Sequence, residues 1–157
     1  MTKEAKRYRP NVAAIVLSSD YPEKCELFVG ERSDIKGAWQ FPQGGVDDEE
    51  ALKEALFREL EEEIGTRDVE VVAEHPEWIC YDFPGNIADK MYPFDGQRQK
   101  YFLVRLKDGA SINLATPVPE FARYRFVPAG EVLKHVSYFK RPIYKKVIGY
   151  FRKSGYL

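Results

Sequence analysis

A chain of 157 residues, 44% hydrophobic and 31% charged, is long enough to bury one substantial core and too apolar to stay disordered. No apolar run approaches the length of a membrane span, and the charged opening MTKEAKRYRPN argues against a secretory signal. Cys25 and Cys80 stand apart without CxxC spacing, so they are expected as two buried, reduced thiols in a cytoplasmic protein rather than as a disulfide or zinc site.

In chain order, residues 11–18 (NVAAIVLS) and 25–31 (CELFVGE) read as strands paired across a turn at 20–23. Residues 39–41 form a short extended piece before Pro42 and the Gly44–Gly45 pair. Alanine, leucine and glutamate then dominate residues 50–64, a helix that Gly65 ends. Strands are expected at 69–73, 77–81, 100–106 and 124–127, and helices at 129–135 and 142–153. Between them, residues 82–99 hold two prolines, two glycines and Asn86; a connection of that length reads as a substrate rim. With no internal repeat, the chain reads as one domain over residues 1–157, an α+β layered sandwich with a mixed central sheet.

Charge is near balance overall but unevenly placed. Residues 44–63 carry nine acids against two bases, whereas no acid follows Glu131 and seven lysines and arginines do. An acidic centre between basic ends suits a cation site beside an anion-binding surface.

The acidic centre lies on the helix. With Leu52 as zero and an advance of about 100° per residue, Leu56 falls at about 40°, Leu60 at about 80° and Ile64 at about 120°, which defines the buried stripe. Glu63 falls at about 20°, Glu59 at about 340° and Glu62 at about 280° on the same wheel. Glu54 and Glu61 point to the opposite side. Two carboxylates therefore sit inside or beside the apolar sector and a third borders it. Buried like charges repel, and Arg58 alone cannot neutralise three; a divalent cation can. Oxygen ligands with no His or Cys nearby select Mg²⁺ or Mn²⁺ over zinc.

The pattern Gly44-x5-Glu50-x7-Arg58-Glu59-Leu60-x-Glu62-Glu63-x-Gly65 resembles the Nudix box, the signature of hydrolases of nucleoside diphosphates linked to another group. The resemblance implies a Nudix-type α/β/α sandwich in which a loop–helix–loop holds two or more Mg²⁺ or Mn²⁺ ions. By motif position Glu59, Glu62 and Glu63 are the implied ligands, with the backbone at Gly44 approaching a cation. Glu50 and Arg58 match a bracing pair, and with Gly45 and Gly65 they are structural. Thr66 departs from the pattern, standing where the family carries an aliphatic residue.

YRPN (8–11), WQFPQGG (39–45), PEF (119–121) and FKR (139–141) together resemble one subfamily, the bacterial RNA 5′-pyrophosphohydrolases, also described as dinucleoside polyphosphate hydrolases. This similarity runs from Tyr8 to about Phe151. It implies conversion of 5′-triphosphate or 5′-diphosphate RNA ends to monophosphates, a step that initiates mRNA decay. Arg9, Gln43, Phe139, Lys140 and Arg141 are then substrate-binding, Arg9 by forking onto a phosphate or stacking on a base and Phe139 by stacking on a base. Glu120 matches a loop glutamate that serves as a further ligand or as the base; Glu59 and Glu63 are the other candidates for that base. Core packing for Phe139 and a solvated turn for Lys140 and Arg141 are the ordinary alternatives. Diadenosine tetraphosphate is the competing substrate, and a silent RNA-binding module the competing class. No protein partner is readable from the sequence.

Overall fold

The computed structural model describes residues 5–85 and 89–157; Lys3 and Glu4 of the N-terminus and Asn86 of the expected rim lie outside the described residues. Its centre is the parallel pair β1 (Tyr8–Leu17) and β7 (Gly96–Leu106), in register from Tyr8 opposite Gly96 to Leu17 opposite Arg105. Runs such as VAAIVL and YFLV are apolar at successive positions, so they must be covered on both faces. Val12, Ala14, Val16, Phe102 and Val104 pack under Ala55, Leu56, Leu60 and Ile64 of α1 (Leu52–Ile64). The alternate residues Ala13, Ile15, Leu17, Tyr101 and Leu103 pack under Tyr144, Val147, Ile148 and Phe151 of α3 (Arg141–Lys153). The result is the expected helix–sheet–helix sandwich.

Among the described residues six further strands complete the mixed sheet: β2 (Glu26–Arg32), β3 (Trp39–Gln40), β4 (Gln43–Gly45), β5 (Val69–Glu74), β6 (Ile79–Asp82) and β8 (Phe121–Pro128). The order is β3-β2-β1-β7-β5, with β4 on β1, β6 on β7 and β8 on β2, every pair but β1–β7 being antiparallel. Both central strands change partners along their length. β1 holds β4 at Asn11–Ala13 but meets β2 at Leu17; β7 holds β6 at Gly96–Gln99 and β5 from Phe102 onward. The end of the sheet carrying β4 and β6 is where the acidic helix and the basic C-terminal segment come together.

Several expected boundaries move. The hairpin of residues 11–18 and 25–31 is joined only beside its turn, at Leu17 and Leu27, because β2 diverges to pair β8 and β3. The expected rim of 82–99 is shorter, since Gly96–Gln99 already pair with β1 and β6. The expected helix at 129–135 splits into a 3₁₀ turn, Ala129–Glu131, and a four-residue α2 (Val132–His135). Glu50 lies outside α1, in a turn closed by its amide on the Asp47 carbonyl (3.1 Å), with Glu49 at φ 65°. The cysteines are free but not buried as expected: Cys25 is half-buried and Cys80, alternating with buried Ile79 on β6, is exposed. No helix among the described residues is long and apolar enough to cross a membrane.

Candidate active site

The wheel order of the three carboxylates is their order of burial: Glu63 is buried, Glu59 half-buried and Glu62 exposed. α1 ends at Gly65 in the left-handed conformation (φ 75°), its amide donating to the Glu61 carbonyl, and a Cβ there would lie 2.3 Å from the Asn113 carbonyl oxygen. Thr66, unlike an aliphatic residue, has a buried hydroxyl to satisfy, and it accepts the Asp68 amide at 3.0 Å.

Arg58 braces the loop against the helix. Its Nε and Nη2 donate to the two Glu50 carboxylate oxygens at 2.8 Å each, and Nη2 also to the Gly45 carbonyl at 2.9 Å. These bonds hold Glu50 down to about 2 and push the guanidinium further up. Gly44 lies against Glu59 so closely that a Cβ would sit 1.8 Å from its carboxyl carbon. β4 thus brings its backbone onto the acidic face, and the Gln43 amide donates to Glu63 Oε1 at 3.3 Å.

Glu63 Oε2 is buried with no hydrogen-bond partner among the described residues. Burial, then repulsion from Glu120 and Glu59, pushes the Glu63 carboxyl well above its ordinary range. Burial also raises Glu59, against the pull of Arg58. The loop before β8 delivers Glu120: Ser33 pins it through its amide on the Glu120 carbonyl (2.9 Å) and its hydroxyl on Pro119 (2.8 Å). Glu59, Glu62, Glu63 and Glu120 line a cleft of about 630 Å³ with Arg9, Gln43 and Gly44. Among the described residues no three acidic, His or Cys side chains stand in a finished ligand geometry. Instead Arg58 Nη1 holds Glu59 at 2.9 Å and Glu62 at 3.4 Å. An orphaned buried oxygen among all-oxygen donors nonetheless fits a hard divalent cation.

A second cavity adjoins the first and shares Gln43 with it. Phe139 and Lys140 line it, so the ordinary alternatives fail for these two, Phe139 being 38% exposed and Lys140 buried; the solvated turn describes Arg141 alone, which is exposed. Lys140 Nζ reaches the Gln43 side-chain oxygen and the Tyr81 hydroxyl, both at 3.3 Å, and burial lowers it to about 8, with Arg32 adding to the fall. Phe139 stands edge-on to Tyr81, centroids 5.3 Å apart. The substrate residues expected together are thus divided. Arg9 lies in the acidic cleft, Phe139 and Lys140 in the second cavity, and exposed Arg141 lines neither, its Nε donating to the Val136 carbonyl at 3.3 Å.

Sequence reasoning missed the polar floor between the cavities. Gln99, fully buried, donates to Asn11 Oδ1 at 2.9 Å and to the Gln43 side chain, and accepts the Tyr101 hydroxyl at 2.8 Å. Gln97 accepts from Tyr81. The signal was present: Gln97 and Gln99 alternate onto the face that carries Tyr101 and Leu103.

A NUDIX domain model matches residues 7–147. The RNA pyrophosphohydrolase of Nitratiruptor sp. is 63% identical over 98% of this chain and 99% of its own length. That of Campylobacter jejuni subsp. doylei is 60% identical over 97% of each. Among solved structures, the E. coli dihydroneopterin triphosphate pyrophosphohydrolase superposes with a TM-score of 0.70 at 16% identity, covering 91% of this chain and 98% of that one, a likeness of fold.

Proposed function

Because this chain belongs to the Nudix family and is a pyrophosphohydrolase, we propose that its substrate is a 5′-triphosphate or 5′-diphosphate RNA end, hydrolysed to a monophosphate in the cytoplasm. The observation that carries the reading is the pairing of two cavities through Gln43. One is acidic with an orphaned carboxylate oxygen; the other is lined by an aromatic face and a buried lysine.

Glu59, Glu62, Glu63, Glu120 and the Gly44 carbonyl would hold two or more Mg²⁺ or Mn²⁺ ions. Such ions, when bound, neutralise diphosphate oxygens and lower the pKa of a coordinated water. The chain's own contribution is positioning. Arg9 clamps a phosphate at the cleft wall, Phe139 offers a face to the first base, and Lys140 faces phosphate beside Gln43. Of the carboxylates, Glu59, Glu63 and Glu120 are the candidates to accept the proton of the attacking water.

The test is incubation with a 5′-triphosphate oligonucleotide and with diadenosine tetraphosphate, following released phosphate and the RNA end formed. Monophosphate ends, made only with Mg²⁺ or Mn²⁺ and faster than dinucleotide cleavage, are expected; faster dinucleotide cleavage would overturn the RNA reading. Phe139→Ala is expected to lower kcat/KM on RNA about ten- to hundredfold, the stacking contribution of one base. An equal loss on both substrates would make the second cavity a general nucleotide pocket.

Gly44→Ala separates geometry from folding. Its Cβ collides with the end of the Glu59 side chain, which can swing away, so melting is expected to change little. Displacing that carboxylate by about an ångström is expected to cost on the order of 10²-fold in turnover. Melting curves beside phosphate release check both halves.

A further inference from the structure

The acid-free C-terminal segment is only partly used by the two cavities: Lys140 faces Gln43, but Lys145, Lys146 and Lys153 lie beyond it. These three share one face of α3 with Pro142, Gly149 and Tyr150, at helical spacings of three and four residues. That face is opposite the buried Tyr144, Val147, Ile148 and Phe151. It forms one wall of a separate groove of about 540 Å³, whose other wall is His75, Pro76 and Glu77. Lys145, Lys146 and Lys153 are exposed, and Glu77 is the sole acid among the described residues that line the groove.

Two features fit this groove to single-stranded nucleic acid. Tyr150, braced edge-on by His75 with centroids 4.7 Å apart, gives an aromatic surface among the cations. At Gly149 a Cβ would meet nothing within 4 Å, so packing does not call for glycine there, and glycine disfavours a helix interior. Its effect is to keep the middle of the basic face low.

Both walls also lead from the second cavity. Phe139 and Lys140, which line that cavity, run into Pro142 at the groove's edge; Tyr81, which lines it in contact with both, follows Glu77 by four residues. We propose that this groove carries the single-stranded RNA body downstream of the 5′ nucleotides, with Lys145, Lys146 and Lys153 on its phosphates and Tyr150 against a base. The inference rests on RNA being the substrate. Three cations against one acid, on a helix whose N-cap Lys140 lines the second cavity, favour a polyanion over a protein partner.

The experiment compares the wild type with a Lys145→Gln/Lys146→Gln/Lys153→Gln variant on a 5′-triphosphate trinucleotide and a single-stranded 5′-triphosphate 15-mer, between 50 and 200 mM salt. The wild type is expected to prefer the 15-mer, less so as salt rises. In the variant that preference falls roughly tenfold at the low-salt end, and the slope of log(kcat/KM) against log[salt] for the 15-mer flattens by about 2. Trinucleotide turnover stays unchanged. Gly149→Leu is expected to reproduce the selective loss with an unchanged or raised melting temperature, which separates occlusion from unfolding. An unaltered preference in the folded triple variant overturns the groove, as it would if the face served a protein partner; so does a parallel fall on the trinucleotide. A wild type that turns over neither RNA overturns the substrate reading itself, and is thereby distinguished from failure of the groove alone.

Discussion

Glu63→Gln is expected to lower turnover by about 10²–10⁴-fold while leaving the fold intact. The amide keeps the size of the side chain and can still accept the Gln43 amide, now at 3.3 Å from Oε1. It removes the charge that burial and the facing Glu120 and Glu59 oppose. Without divalent cation the variant is therefore expected to melt at or above the wild-type temperature. The pH dependence has a definite sign. With its folded value raised above the ordinary 4.5, Glu63 binds a proton more readily folded than unfolded, so its penalty appears as pH rises through 4.5 and is complete above the folded value. The stability gain of the variant should be present at neutral pH and vanish below 4.5. A folded Gln variant with near-wild-type turnover would remove Glu63 from the catalytic set.

Arg58→Ala is expected to lose stability and activity together. The substitution breaks the two bonds to Glu50, the bond to the Gly45 carbonyl and the contact with Glu59, so loop and helix lose their common anchor. A melting temperature lower by roughly 5–10 °C is expected, below the effect of breaking a fully buried pair because solvent reaches part of the guanidinium. Here the sign is opposite to that of Glu63. Glu50 is depressed from 4.5 to about 2, so the bracing contributes fully above 4.5 and is lost as pH falls from there toward 2. The difference between wild type and variant should narrow over that interval. Loss of activity with an unchanged melting curve would give Arg58 a direct role at the phosphates instead.

What could be read ahead of the structure was local. The burial order of Glu63, Glu59 and Glu62 follows from the helical turn per residue and the position of Leu56 and Leu60, because a helix fixes its own facing. The bracing of Glu50 by Arg58 spans eight residues and is carried by a single motif. The helix start was misplaced by two residues, since Glu50 closes a turn on Asp47 that passes through Glu49 and Ala51 is the extended N-cap.

The acidic helix and its Nudix motif are written in spacings within one segment, the subfamily likeness in four short motifs, and the layered sandwich in the order of elements along the chain. Only the tertiary structure decided which distant groups share a cavity. The parallel register of β1 on β7 puts Asn11 opposite Gln99, and β4 then lays Gln43 between the carboxylates and Lys140. The same packing divides Arg9 from Phe139, turns Arg141 away, and buries a lysine that its charge alone would leave in water. Strand register and helix docking are set by the fit of two apolar faces across the sheet, a long-range condition that no spacing along the chain encodes.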